Sequence, residues 1–309
     1  MFRFNHEQTI HNIRGVRIGG QPGELPTVLC GSIFYEGHSI VEDAVKGKFD
    51  KERAENLINN QASFSDETGN PHIIQIYGRS LDALVKYMEF VHEVSDAPMM
   101  IDSTEGSVRS GGALYSTEVG LSDSVIYNSM NVGMTESEIS ALKSSDIDTA
   151  IVLAFNPIDS SLKGRIELLE NGSGILNRGL LELAEECGIK KVLVDTGATP
   201  IGSNSGVVLR LTLAVKGKYG LPTGSGIHNI PLSWQWLRER KKDDPVIYRV
   251  CDISTVALQQ IVGGDFVLYG PIENAKYAFA CAAMTDILIA EGAIEFIKPS
   301  SSHPINKLK

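Results

Sequence analysis

The chain has 309 residues, a formal net charge of −10 and a pI near 5.2. With 42% hydrophobic and 21% charged residues it can bury a large core, which excludes extended disorder. The acidic balance argues against nucleic acid and anionic lipid as partners, and the opening MFRFNHEQTI lacks the apolar run of a secretion signal, so a cytoplasmic, reduced protein is expected.

Residues 1–26 read as an N-terminal cap or hairpin, with Gly15, Gly19, Gly20 and Gly23 at its turns. Residues 27–34 form the first short apolar run, followed by a polar, helix-like excursion over 36–70. A second run covers 72–77, and Leu81, Leu84, Val85 and Met88 then recur at helical spacing. Further runs cover 99–102 and 124–129. Thr135 and Glu138 make a capping box ahead of Ile139 and Leu142. After a run at 149–156, Leu176, Leu180, Leu183, Ala184 and Cys187 spell a helix that Gly188 stops. The last runs are 191–195, 222–227 and 266–269. An Ala-rich helix over 277–290 contains Asp286 and is flanked by Lys276 and Glu291, so it is too short and too charged to span a bilayer. The Ser-, Pro- and Lys-rich residues 299–309 read as a flexible tail.

These runs are β-branched, short and almost wholly apolar, as strands of a parallel sheet buried on both faces must be. About eight strand–helix alternations in this length predict a TIM (β/α)8 barrel spanning residues 1–309 as one domain. An open doubly wound sheet is the alternative. Cys30, Cys187, Cys251 and Cys281 are far apart in no metal-binding spacing, so they read as buried hydrophobes and no metal site is expected.

The polar residues fall where the runs end. Met-Met-Ile leads into Asp102, Val-Ile-Tyr into Asn128 and Ser129, and Ile-Val-Leu-Ala-Phe into Asn156. Val-Leu-Val leads into Asp195, and Gly-Ser-Gly-Ile-His228 into Asn229. In a barrel all these ends open on the face that carries the active site. Asp and Asn after a strand are also ordinary helix caps, so each position has a purely structural reading beside the functional one. No dinucleotide fingerprint, P-loop or nucleophile elbow is present, and no lysine ends a strand as a Schiff-base enzyme needs. The Gly224–Gly226 run reads either as a weak phosphate contact or as a tight barrel position, and His228 either as a base or as a buried, hydrogen-bonded ring. The mouth suits a neutral, flat, polar heterocycle.

The strings IGGQPGELPTVLCGSIFYEGH, QASFSDETGNPHIIQIYG, MIDSTEGSVR, VIYNSMN, DIDTAIVLAFNPIDSS, ELAEECGIKKVLVDTGATPIG and GDFVLYGPIENAKYAFACAAMTDILIAE resemble the H subunit of tetrahydromethanopterin S-methyltransferase. They also resemble its bacterial methyltetrahydrofolate–corrinoid methyltransferase relatives, and cover residues 15–295. The resemblance implies a pterin-binding barrel that moves a methyl group between N5 of a reduced pterin and the cobalt of a corrinoid carried by a partner protein. It implies that Asp102 grips the N3 and 2-amino edge, that Asn128, followed by Ser129, bonds the pyrimidine ring, and that Asp195 is a second pterin carboxylate. Asn229 sits near N5, and Asp195 and Asn229 are assigned to the catalytic step. Asn156 joins the pterin-binding set or caps the next helix. Drift in the strings at 107–112 and 203–209 leans toward tetrahydrofolate as the carrier. The alternatives are the tetrahydromethanopterin-using member of the membrane-linked coenzyme M methyltransferase complex, a dihydropteroate-synthase-like enzyme, or a non-catalytic assembly protein. The Ala-rich helix suggests a partner or homodimer face as readily as an ordinary barrel helix.

Overall fold

A computed structural model describes residues 1–308. The chain opens with a hairpin, β1 (Ile10–Ile13) and β2 (Val16–Gly19), before the first barrel strand, β3 (Val28–Ile33). A second hairpin, β4 (Val41–Asp43) and β5 (Lys48–Phe49), leads into α1 (Lys51–Thr68). Next come β6 (His72–Tyr77), α2 (Leu81–Val94), β7 (Met99–Asp102), α3 (Gly106–Glu118), β8 (Val125–Met130) and α4 (Glu136–Lys143). β9 (Thr149–Leu153), α5 (Leu162–Asn171), α6 (Leu180–Glu186), β10 (Lys191–Asp195), α7 (Val207–Tyr219) and β11 (Thr223–Ser225) follow. Helices α8 (Asn229–Leu232), α9 (Gln235–Asp243) and α10 (Pro245–Ile261) precede β12 (Phe266–Pro271), and then come α11 (Ala275–Ala293) and α12 (Pro304–Lys307). Strands β3, β6, β7, β8, β9, β10, β11 and β12 pair in that order, all parallel, and β12 returns to β3 to close the barrel. This is the expected (β/α)8 architecture.

The period-2 geometry of the strands sorts the core into two layers. Val28 and Cys30, Ile73, Met100, Ile126, Ile151, Leu193, Phe266 and Leu268 form one buried cluster with Ile13 and Ile18 of the first hairpin. One or two residues from each of seven strands make this the barrel lumen. The hairpin plugs its N-terminal end. The intervening residues, among them Ile74, Ile101, Tyr127, Val152 and Val194, belong to the outer layer with Leu84, Met88, Leu168 and Leu211 of the helices. Each such fully buried aliphatic side chain contributes about 1.5–3 kcal/mol.

The helix starts follow local chemistry. Ser80 accepts from the Ala83 N–H to begin α2, and Thr135 accepts from the Glu138 N–H at 3.3 Å to begin α4. The Glu138 carboxylate, however, does not return to Thr135. It turns inward to Arg109 and Tyr127, so only half of the capping box forms. Asp286 explains why α11 is interrupted by a charge. Its carboxylate, 4% exposed, accepts from Thr27 N and Oγ1, Asn70 Nδ2 and Gln260 Nε2 at 2.6–2.9 Å. It thereby ties α11 and α10 to the start of β3. No helix among the described residues is long and apolar enough to cross a membrane.

Two local expectations change. The excursion over 36–70 is not helical throughout. Asp43 accepts from the Val45 and Lys46 N–H groups and turns the chain into the β4–β5 hairpin, and only from Asp50, which caps α1, does a helix run. The segment expected to fray after Pro299 instead carries the turn α12. His303 is fully buried there, and Asn306 Nδ2 donates to the Ser300 carbonyl at 2.8 Å.

Candidate active site

The lumen residues point to the site. One step of two residues beyond Cys30, Ile73, Met100, Ile126 and Leu193 lie Ser32, Gln75, Asp102, Asn128 and Asp195. The pleat therefore aims them up the same axis, at the C-terminal ends of β3, β6, β7, β8 and β10. All five line one cavity of about 530 Å³, together with Tyr35, Tyr77, Ser129, Leu153, Phe155, His228 and Asn229. Strand register brings Asp102 level with Tyr77 on one side and Asn128 on the other, and Asp195 level with Leu153. The Asn128–Ser129 peptide is cis.

Asp102 is held from the side. Ser32 Oγ donates to Gln75 Oε1 at 2.6 Å, and Gln75 Nε2 donates to Asp102 Oδ2 at 2.7 Å, a relay across three adjacent strands. Burial raises the Asp102 carboxyl above the usual carboxylate range, opposed by the Gln75 bond, the Arg109 charge and the Ser103 N–H. Arg109, from α3, donates to the Ser103 carbonyl and pairs with Glu138 at 2.7 Å. It fixes the loop directly after Asp102.

Asp195 is held from behind. Its Oδ1 accepts from the Gly197 N–H at 2.7 Å. Arg165, fully buried on α5, donates to the Thr196 and Gly197 carbonyls and, at 3.2 Å, to the Ser160 carbonyl. Unlike Arg109, it has no carboxylate ion pair among the described residues, so its charge acts on Asp195 through space. Burial pushes the Asp195 carboxyl up to about 6, against the Gly197 and Gly226 N–H groups and Arg165, while the nearby Asp102 charge adds to the rise. Both carboxylates line the same cavity, so the Asp102 charge reaches Asp195.

His228 is half-buried and pushed down to about 4 by burial, so it is neutral at physiological pH. It packs over Gly270, where a Cβ would lie 2.6 Å from the His228 ring, and the backbone there has φ +84°. Gly224 is likewise a packing position. A side chain would meet the Phe266 carbonyl at 2.2 Å, which favours the tight-barrel reading of the Gly224–Gly226 run.

Asn229 lies on the mouth, exposed, in the first turn of α8 rather than at a strand end, because β11 stops at Ser225. Asn156 is not brought to the cavity. β9 ends three residues earlier, at Leu153, and it is Leu153 that lines the site. The Asn156 side chain is consumed locally: it donates to the Gly164 carbonyl and Ser173 Oγ and accepts from the Ile158 and Asp159 N–H groups. It organises the loop before α5, which is the capping reading. Ser32 and Gln75 were missed by sequence reasoning. Their signal was present as lone polar residues inside the apolar strings VLCGSI and HIIQIY.

Two carboxylates supply acceptors, and Asn128 supplies both an acceptor and a donor, within a slot flanked by Tyr77, Phe155 and Leu268. Such a set can hydrogen-bond the edge of a flat heterocycle that carries ring N–H and amino groups. No cluster of three or more His, Cys, Asp or Glu residues suited to a metal ion occurs among the described residues.

The barrel is similar to dihydropteroate synthase of Yersinia pestis, with a TM-score of 0.61 and 13% identity over 91% of this chain and 98% of that one. That likeness concerns the fold alone. Over its full 309 residues the chain is 54% identical to the H subunit of tetrahydromethanopterin S-methyltransferase from Methanothermobacter thermautotrophicus, covering 100% of both chains. It is equally 54% identical, with the same coverage, to the H subunit of an mtx methyltransferase from Methanosarcina barkeri. The family model described as tetrahydromethanopterin S-methyltransferase MtrH subunit covers residues 6–298, so the chain belongs to the MtrH family of pterin-dependent methyltransferase subunits.

Proposed function

We propose that this chain moves a methyl group between N5 of tetrahydromethanopterin and the cobalt of a corrinoid carried by a partner protein. The observation that carries the proposal is the convergence of Asp102, Asn128 and Asp195 on one cavity, in a chain 54% identical along its whole length to the H subunit of a tetrahydromethanopterin S-methyltransferase. The lean toward tetrahydrofolate is replaced. It rested on local drift in two short stretches, whereas the full-length identity and the family model both support the methanopterin carrier.

In this reading Asp102 accepts from the pyrimidine N–H and amino group, and Asn128, with Ser129 beside it, bonds the same ring. Asp195 accepts from the opposite edge. Asn229, at the mouth, orients the proton near N5. Transfer breaks the N5–CH3 bond as the cobalt–carbon bond forms. The electron pair left on N5 takes a proton, and a hydrogen bond strengthening there is worth about 2–4 kcal/mol by analogy with oxyanion donors. In reverse, N5 attacks the cobalt-bound methyl group through the same site. A dihydropteroate-synthase-like reaction would need a diphosphate site, and packing against Phe266 already accounts for the glycine at 224 in its only sequence candidate. The chain is assigned to the cytoplasmic side, docked on other subunits, and homodimerisation is part of the same reading.

The equal identity to an mtx methyltransferase supports a second reading in which the chemistry is unchanged and only the corrinoid partner differs. The test is methyl transfer to cob(I)alamin from methyl-tetrahydromethanopterin and from methyl-tetrahydrofolate, followed by the loss of the cobalt(I) absorbance. Faster transfer from the methanopterin donor is expected. No transfer from either donor would overturn the proposal.

A further inference from the structure

Beside the ring cavity lies a second chamber of about 490 Å³, lined mainly by residues of α8–α10, the end of β12 and the segment after it. The two share Ser32, Tyr35 and His228 as a common wall, so a substituent leaving the ring cavity between β3 and β12 enters the second chamber.

Its polar groups are not equivalent. Glu273 is already engaged, 3.0 Å from His38 Nε2 and 3.2 Å from the Tyr35 hydroxyl. Lys241 and Arg249 are each braced by an aromatic ring: Lys241 Nζ lies 4.1 Å from the Tyr248 centroid, and the Arg249 guanidinium 4.3 Å from that of Tyr277. Asp252 differs from both. It is 6% exposed, lines the chamber, and its carboxylate makes no hydrogen bond or close ion pair among the described residues. Burial pushes it up to about 6, and Lys241 and Arg249 pull the other way through space. A buried carboxylate without donors is a site waiting for them.

We infer that this chamber binds the arm of the pterin, that the arm it selects is hydroxylated, and that Asp252 accepts from its hydroxyl groups. This inference rests on the ring-site reading above. A hydroxyl donates to Asp252 and accepts from Lys241 or Arg249, so it satisfies both signs of charge at once. An arm bearing only carboxylates satisfies the cations but places like charges opposite Asp252.

The test is calorimetric titration of the unaltered protein, Asp252→Asn and Asp252→Ala with three ligands. They are tetrahydromethanopterin, tetrahydrofolate and the arm-less 6-methyltetrahydropterin. Binding of the arm-less pterin serves as the check that each variant is folded. The expected result is about tenfold weaker tetrahydromethanopterin binding in both variants, the size of one charge-assisted hydrogen bond, with the arm-less pterin unchanged within about twofold. Tetrahydrofolate binding should not weaken in either variant. Weakening of tetrahydrofolate by as much as tetrahydromethanopterin, equal weakening of tetrahydromethanopterin and the arm-less pterin, or weakening of none would overturn the inference. Failure of the arm-less pterin to bind the unaltered protein overturns the ring-site reading itself, and the inference falls with it.

Discussion

Replacing Asp195 by Asn exposes a conflict between stability and binding. Burial raises the Asp195 carboxyl from the ordinary 3.8 to about 6. At about 1.4 kcal/mol per pH unit, the ionised carboxylate costs the fold about 3 kcal/mol at pH 7. The sign follows from the direction of the shift. A raised folded-state pKa means that the native protein holds its proton more tightly than the unfolded chain. Its stabilising contribution is full below pH 3.8 and is lost as pH rises through 6. Asparagine removes the charge and keeps an oxygen for the Gly197 N–H. Its amino group then faces the Gly226 N–H, a mismatch costing about 1–2 kcal/mol. The expected outcome is a variant more stable than the parent by about 1–2 kcal/mol at pH 7. The advantage should vanish near pH 5 and reverse below it. Urea unfolding at pH 7, 6 and 5 measures this directly. A variant less stable at pH 7, or a difference independent of pH, would refute the assignment of a strained, ionised Asp195. The same variant should bind pterin more weakly, because the second edge acceptor is gone.

Four further outcomes are expected. Pterin affinity of the parent should fall roughly tenfold between pH 7 and pH 5, as Asp195 takes up its proton, and calorimetry across that range checks it. Gln75→Leu removes the donor to Asp102 and the acceptor for Ser32, and should cost about 1–2 kcal/mol of pterin binding with little change in melting temperature. Asn229→Ala should lower the rate of cobalt methylation more than pterin affinity, and an unchanged rate removes Asn229 from the transfer step. Ile18→Ala, in the plug of the lumen, should lower unfolding free energy by about 2–4 kcal/mol and leave the ring-binding constant intact.

The barrel was legible because its strands are buried on both faces and so read as uninterrupted apolar runs. Asp102 and Asp195 were legible because they end β7 and β10, and Asn128 because it breaks the apolar run of β8, each in phase with the lumen. Asn156 shows where that reading breaks down. A site residue and a loop-organising residue give the same strand-then-Asn pattern, and only the true end of β9 at Leu153 separates them. Gln75 was hidden for the opposite reason. It lies within its run, and its role depends on a contact to a strand 27 residues further on. The β4–β5 hairpin was invisible because its strands are very short, three and two residues, too brief for any period to register. Residues 299–308 looked disordered by composition, yet buried His303 anchors them.

The hairpin that seals the floor of the barrel governs traffic through it. With the lower end stoppered by Ile13 and Ile18, the doorway to the cavity is at the C-terminal face of the barrel. On the methyl-transfer reading, donor and acceptor must then share that doorway, the small molecule entering first and the macromolecule closing over it. Kinetics of this kind are compulsorily ordered. Excess corrinoid protein should lock the pterin inside, showing as a slowed release of the small ligand rather than as competition for its seat.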